Sequence, residues 1–249
     1  MGKIPRAIAL SCLLCASFAA ASWGQKAAPD GTIDNFRWTG PLAPAAGVSV
    51  LNPYGDVRVR VADGGEVEVS AMIQRWASQP ATAEVRLGRR RGRLTIEVVY
   101  PAASGQDLRR VDLTVFVPAG APLAVRTRDG LIQARGLAND VRLESAGGDV
   151  VVATTGAARV CVERGNISAV LGRDSRRASR LATRQGDITL RLPADADARV
   201  KIRAAGEIAV QRPAQLERRT ARKAIVTLGQ GTHLLSLETR RGGVTLLAP

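Results

Sequence analysis

The chain has 249 residues and a formal net charge of +14; 45% of its residues are hydrophobic but only 3% are aromatic. Val, Leu, Ile and Ala carry the apolar content, which suits a thin core of small branched side chains and argues against sugar stacking on aromatic rings. One histidine and three cysteines exclude a histidine-pair metal site and a Cys/His cluster.

Residues 1–21 read as a cleavable secretory signal peptide. Lys3 and Arg6 lead into an apolar run over 7–20, and Ala19 and Ala21 suit the positions before the cut. The run is too short to span a bilayer, and Cys12 and Cys15 lack the context of a lipoprotein cysteine. Cleavage takes two positive charges from +14, leaving +12, and leaves Cys161 as the one cysteine, so no internal disulfide forms. No transmembrane segment then remains. The expected localisation is exported, with periplasm and cell exterior both open.

Residues 22–34 form a polar lead-in, and 35–117 an N-terminal β lobe. Period-two alternation predicts strands at 48–51, 57–61, 67–69, 85–87, 94–98 and 111–117. Phe36, Trp38, Tyr54 and Trp76 are expected to cover the first coil, so that the lobe starts and caps a stack.

From 118 to 247 a short phrase returns: a glycine, a polar residue, then a β-branched one. It reads Gly148-Asp149-Val150, Gly165-Asn166-Ile167, Gly186-Asp187-Ile188 and Gly206-Glu207-Ile208, with looser copies at Gly130 and Gly242 and an earlier one at Gly55-Asp56-Val57. Between Gly130 and Gly206 the steps are 18, 17, 21 and 20 residues, the length of one coil of a β-solenoid. Seven, five and three residues before each glycine stand inward columns such as Val141, Leu143 and Ser145. Two and four after it stand pairs such as Val150 and Val152. Alternation on both sides of a glycine is strand, corner, strand. The fold class is therefore all-β: a single-domain β-solenoid of stacked rungs, each coil lying on the last. Gly206 departs, because Val200, Ile202 and Ala204 sit one residue off the spacing, which predicts an altered corner. Residues 118–121 and 193–196 predict one repeated connection, and 215–220 a loop or short helix interrupting the rungs.

The corner glycine supplies a positive φ, and the Asp or Asn beside it is expected to bond the turn backbone. Asp56, Asp149, Asn166, Asp187 and Glu207 would then form a ladder along one edge. Calcium-binding repeats need a tighter Gly-rich nonapeptide that is missing, so turn capping is favoured and no metal or cofactor is expected.

Basic residues gather in corners and insertions. Thr-Arg-x-Gly recurs at Thr127, Thr183 and Thr239, which places Arg128, Arg184 and Arg240 outward at equivalent corners, with Arg241 beside them and Arg176 and Arg177 in an insertion. These six are the candidate binding residues. A solvated surface that resists edge-to-edge sticking accounts for them; so does a polybasic face for phosphate- or carboxylate-rich polymers. Cys161 reads as an outward surface residue or an intermolecular thiol, and His233 as a surface or corner residue.

The chain resembles the bacterial exported putative-adhesin domains, which repeat Ser/Thr-x-x-Gly-Asp-Ile/Val. The matching stretches are 52–61, 117–120, 145–152, 183–190, 192–194 and 228–246, and the resemblance runs over roughly 36–247. It implies a β-solenoid surface or envelope domain with no established chemistry; the heavy arginine load departs from the family pattern. The expected function is a non-enzymatic envelope-associated or adhesive binding module. Its partners would be anionic cell-envelope polymers or lipids, or a protein, with nucleic acid a weaker fit for an exported chain. A carbohydrate-active lyase or hydrolase on a parallel β-helix and a passive spacer stay open as alternatives.

Overall fold

A computed structural model describes residues 31–43, 45–76, 83–90, 92–100, 110–172, 177–211 and 215–247. The signal-peptide reading and most of the polar lead-in fall outside these residues. Those described form strands and no helix. In chain order they are β1 (Gly31–Pro41), β2 (Gly47–Tyr54), β3 (Val57–Val61), β4 (Glu66–Trp76), β5 (Glu84–Arg90), β6 (Arg93–Val99) and β7 (Arg110–Val117). There follow β8 (Leu123–Asp129), β9 (Ile132–Leu137), β10 (Val141–Gly147), β11 (Val150–Thr154), β12 (Ala158–Arg164), β13 (Ile167–Leu171), β14 (Ser179–Gln185) and β15 (Ile188–Arg191). The last six are β16 (Ala198–Ala204), β17 (Ile208–Val210), β18 (Gln215–Thr220), β19 (Lys223–Leu228), β20 (His233–Thr239) and β21 (Val244–Leu247).

These strands make two large, mostly parallel sheets, neither of them closed. One has ten strands in the order β1-β4-β7-β3-β9-β11-β13-β15-β21-β17, the other eleven in the order β18-β19-β16-β20-β14-β12-β10-β8-β2-β6-β5. The chain crosses from the second sheet to the first at each corner glycine, for example β10 to β11 at Gly148 and β12 to β13 at Gly165. The inward columns read from the sequence pair in register: Leu123, Val141 and Ala158 lie side by side, as do Val125, Leu143 and Val160. Their side chains are buried in one aliphatic cluster drawn from both sheets. Val210 alone of these inward positions is half-buried, because β17 ends its sheet. At about 1.5 to 3 kcal/mol per buried aliphatic side chain, stacking a strand pair on its neighbours outweighs the weak stability of the pair alone.

At the corners the expected positive φ of glycine is present, with a further demand upon it, while the polar residue beside it acts differently from local turn chemistry. Gly148 and Gly165 have φ of +109° and +146°, but the stronger demand is space. A methyl group built on Gly165 would overlap the carbonyl of Gly148, one on Gly148 the carbonyl of Gly130, and one on Gly186 the carbonyl of Gly165. The carboxylate or amide beside Gly148, Gly165 and Gly186 reaches the neighbouring corner instead of its own, whereas the Glu207 side chain beside Gly206 does not join this ladder. Asp149 Oδ1 accepts from the Asn166 N–H at 2.8 Å, Asn166 Oδ1 from the Asp187 N–H at 2.9 Å, and Asp187 Oδ1 from the Gly243 N–H at 2.7 Å. Backbone pairing also continues through the corner: the Gly148 N–H donates to the Arg164 carbonyl and the Val150 N–H to the Asn166 carbonyl. The inward hydroxyls complete it, with Thr183 donating to the Gly165 carbonyl at 2.9 Å and Thr239 to the Gly186 carbonyl at 2.8 Å.

Several expectations need correction. The strand pairs do not lie in chain order. The first, β2 and β3, sits between β6/β7 and β8/β9, and the last, β20 and β21, sits between β14/β15 and β16/β17. Residues 215–220 are neither loop nor helix but strand β18, paired antiparallel with β19. That hairpin extends the eleven-stranded sheet past β16, whose outer edge would otherwise stand unpaired. At the other end the antiparallel strands β1 and β4 extend the ten-stranded sheet, and β5 the eleven-stranded one. Phe36 and Trp38 pack on the core from β1. Tyr54 does not cover the first coil, because it lies at the end of β2 with 37% of its surface exposed; the Trp76 side chain falls outside those described. The Gly206 corner is altered as expected: Val200 pairs with Leu235 and Ile202 with Leu237, so it is one residue shorter than the Gly242 corner, and Gly206 lacks a positive φ. The two proline connections close the same turn, Ala121 N–H to the Pro118 carbonyl and Ala196 N–H to the Pro193 carbonyl.

Gly165→Ala is expected to destabilise the protein by at least about 3 kcal/mol, because the overlap is with backbone that cannot move aside. Gly120→Ala, in an exposed turn with open space around it, is expected to change stability by less than about 1 kcal/mol. Urea unfolding of the two variants checks the contrast.

Candidate functional site

Alternation leaves every second side chain of a strand outside, and parallel in-register pairing turns those side chains into rows. On the eleven-stranded sheet, the residue six before each corner glycine forms such a row. Arg142 pairs with Arg159 and Arg159 with Arg180. Adjacent strands lie about 4.8 Å apart, so three guanidinium stems stand side by side, a like-charge arrangement that costs stability unless it is compensated. Beyond Ser236 the row continues to Lys201.

Compensation is partial. Glu144, in the adjacent row, accepts two hydrogen bonds from Arg126 at 2.8 and 2.6 Å and one from Arg142 Nε at 2.7 Å. Burial by itself would raise the Glu144 pKa; the hydrogen bonds from Arg142 and Arg126 outweigh it and hold the carboxyl below its ordinary value. Arg180 meets Glu238 at 3.2 Å. Arg159 has no acidic partner among the described residues. Cys161, an exposed free thiol, stands between Glu144 and Ala182 on this same surface.

The ten-stranded sheet differs. Its matching outward row reads Arg58, Gln133, Val151, Ser168, Thr189, Thr245 and Ala209, and further along the strands stand exposed Arg60 and Arg135, then Ala153, Val170, Arg191 and Leu247. Arginines occur on both sheets, but the run of three adjacent ones, Arg142, Arg159 and Arg180, lies on strands that precede the corner glycines.

The six candidate residues do not form one cluster. Arg184 and Arg240 extend outward next to each other, since Thr183 and Thr239 pair and are buried, and exposed Arg241 follows at the corner. Arg128 occupies the same row, but Ala146 and Glu163 stand between it and Arg184. Arg177 lies before the start of β14, so the full length of that strand, about 20 Å by strand rise, stands between it and the corner, and it pairs with Asp140 at 2.8 Å. Arg176 lies outside the described residues. The row Arg142, Arg159 and Arg180 escapes a search for basic clusters in the sequence, yet the glycine spacing contains it at six residues before Gly148, Gly165 and Gly186.

Among the described residues of the eleven-stranded sheet, aromatic side chains enter at one place. The chain's two tyrosines, Tyr54 and Tyr100, meet edge to face with ring centroids 5.4 Å apart. The Tyr100 hydroxyl donates to the Tyr54 carbonyl at 2.6 Å, and burial pushes its pKa above the ordinary phenol value, which keeps it a donor. Arg128 donates to the Tyr54 hydroxyl at 3.1 Å, with its guanidinium carbon 6.0 Å from the ring centroid. Among the described residues no group of three His, Cys, Asp or Glu side chains is placed to hold a metal ion, and no helix is long and apolar enough to cross a membrane.

No protein-family model matches this chain, and no curated protein matches it. Among solved structures it is similar to a "putative cell adhesion protein" from Clostridium sporogenes, at 9% identity and a TM-score of 0.49, over 86% of this chain and 99% of the other. It is also similar to a "putative adhesin" from Bacteroides fragilis, at 12% identity and a TM-score of 0.39, over 88% and 99%. A third, from Parabacteroides distasonis, has 10% identity and a TM-score of 0.33, over 88% and 98%.

Glu144 supplies the test of this surface. Because its folded pKa is lowered, its contribution is present above the ordinary carboxylate value and is lost as pH falls through the lowered one. Glu144→Gln is expected to cost about 1 kcal/mol or less at pH 7, its arginine partners being solvent-exposed. The deficit should shrink as pH falls below the ordinary carboxylate range and through the lowered value, read from urea unfolding at pH 7 and in acid.

Proposed function

We propose that this chain is an exported β-solenoid that acts without catalysis as an envelope-associated binding module, its arginine-bearing face engaging anionic envelope polymers or lipids. The solenoid reading is supported by the in-register columns and by the contact of each corner glycine with the next, with the coils exchanged in order at both ends. Export is supported by the charged, then apolar, then small-residue character of residues 1–21.

The observation that carries the binding reading is the row Arg142, Arg159 and Arg180, with Arg159 unmatched by any carboxylate among the described residues. A row of guanidiniums on a rigid sheet presents repeated forks to a repeating phosphate or carboxylate, so weak contacts add along the polymer. The same anions relieve the repulsion that the row otherwise carries.

The test is binding of the chain from residue 22 onward to lipopolysaccharide and to phosphatidylglycerol vesicles as salt is raised. Each basic residue near an anionic surface contributes about 1 kcal/mol, so neutralising Arg142, Arg159 and Arg180 to Gln should weaken binding roughly 100-fold at low salt, and raising salt should weaken the unsubstituted protein. Affinity indifferent to both would overturn the reading and leave a spacer.

A further inference from the structure

The eleven-stranded sheet also carries a groove that the arginine row does not explain. It runs along β2, whose outward side chains Ser49, Leu51 and Pro53 form a floor. Arg93, Thr95, Glu97 and Val99 of β6 stand on one side, and Arg126 and Arg128 of β8 on the other. Two contiguous hollows of about 530 and 390 Å3 share Leu51, Glu97 and Arg126, and Tyr54 and Tyr100 close one end. From Ser49 to Tyr54 the strand rise gives a length of about 17 Å, the reach of a few linked pyranose rings.

The lining selects among ligands. β2 is paired on both sides, with β6 and β8, so its backbone is occupied and a peptide cannot add as a strand. The floor is shallow and only partly apolar, which leaves an acyl chain largely in water. The walls offer what a sugar needs. The Glu97 carboxylate has no hydrogen-bond partner among the described residues and can accept from hydroxyls. Among the described residues the Arg128 guanidinium is engaged only by the Tyr54 hydroxyl and ring, so its remaining N–H groups are available to a carboxylate. Arg93 likewise has no acidic partner among the described residues. Arg126 and Arg142, which also lines the smaller hollow, share Glu144, so Arg93, Arg126, Arg128 and Arg142 against Glu97 and Glu144 set the sign of the groove as positive. The part-exposed Tyr54 ring gives an apolar face at the end of the run, held by Tyr100 through an edge contact and by the hydrogen bond to its carbonyl.

We infer that this groove is a subsite for a short acidic oligosaccharide of the uronic-acid type, with Arg128 on a sugar carboxylate, Glu97 on ring hydroxyls and Tyr54 against a pyranose face. The inference deepens the anionic-polymer reading by naming the sugar class at one place on the same sheet, away from Arg159.

Titration calorimetry of the chain from residue 22 onward with trigalacturonate and trimannuronate, and with uncharged maltotriose as a control, tests it. Binding of at least one uronate trimer, with maltotriose at least tenfold weaker, is expected. Arg128→Gln, an exposed substitution, and Tyr54→Ala should each reduce uronate affinity at least tenfold, while Arg159→Gln leaves it unchanged; vesicle binding should fall with Arg159→Gln and be indifferent to Tyr54→Ala. If neither trimer binds, if Arg128→Gln binds as well as the parent, or if a glutamate trimer competes as well as the sugar, the subsite is overturned. In each case the Arg159 dependence of vesicle binding still reports separately on the broader reading.

Discussion

The structure depends on contact between one corner glycine and the carbonyl of the next. Because Gly148 lies against the Gly130 carbonyl and Gly165 against the Gly148 carbonyl, successive strand pairs can neither slide nor tilt without opening that contact. Register follows from it. Parallel pairing in register then turns an alternating sequence into columns, inward ones that fill with Val, Leu and Ile and outward ones that repeat the same chemistry from strand to strand. The cross-corner hydrogen bonds of Asp149, Asn166 and Asp187, and of the inward threonines, satisfy backbone that a bare corner would leave unpaired.

The same constraint shapes the ends. The first and last strand pairs of the chain each lie one place inside the edge of the parallel array, with partners on both sides, so pairs from within the sequence end it. At both ends antiparallel strands, β4 with β1, β5, and β19 with β18, extend the pairing beyond the parallel strands. Edges reached this way are short or bear charged side chains, such as Arg86 and Glu84 on β5 and Glu217 on β18, which discourages pairing with another chain.

Chemistry on the surface is divided by the corner. Strands before the glycine carry Arg126, Arg142, Arg159 and Arg180 outward, while those after it mix Ser, Thr, Val and Ala with Arg58, Arg60, Arg135 and Arg191. A repeated fold amplifies such a choice, since any residue type favoured at one outward position is multiplied by stacking. The tyrosine pair breaks the repetition: Tyr54 ends β2 and Tyr100 follows β6, so the one aromatic place on this sheet arises where the array departs from chain order.

The sequence by itself determined the all-β class, the strands on either side of each glycine, the inward columns and the irregular Gly206 corner, because period-two alternation and a residue without Cβ are local signals that survive in one dimension. It did not reveal β18, whose Leu216-Glu217-Arg218-Arg219 lacks alternation and is a strand only because β19 offers it an edge. Nor did it reveal the exchanged order of the terminal pairs, since every pair presents nearly the same corner and local pattern cannot choose its neighbour. The site was legible in part. Outward placement of Arg128, Arg184 and Arg240 follows from the spacing, but which cations stand together was decided by register between strands 17 to 21 residues apart in the sequence. The meeting of Tyr54 with Tyr100 was likewise decided by tertiary structure alone, because pairing across β2 and β6 joins residues whose separation no local rule records.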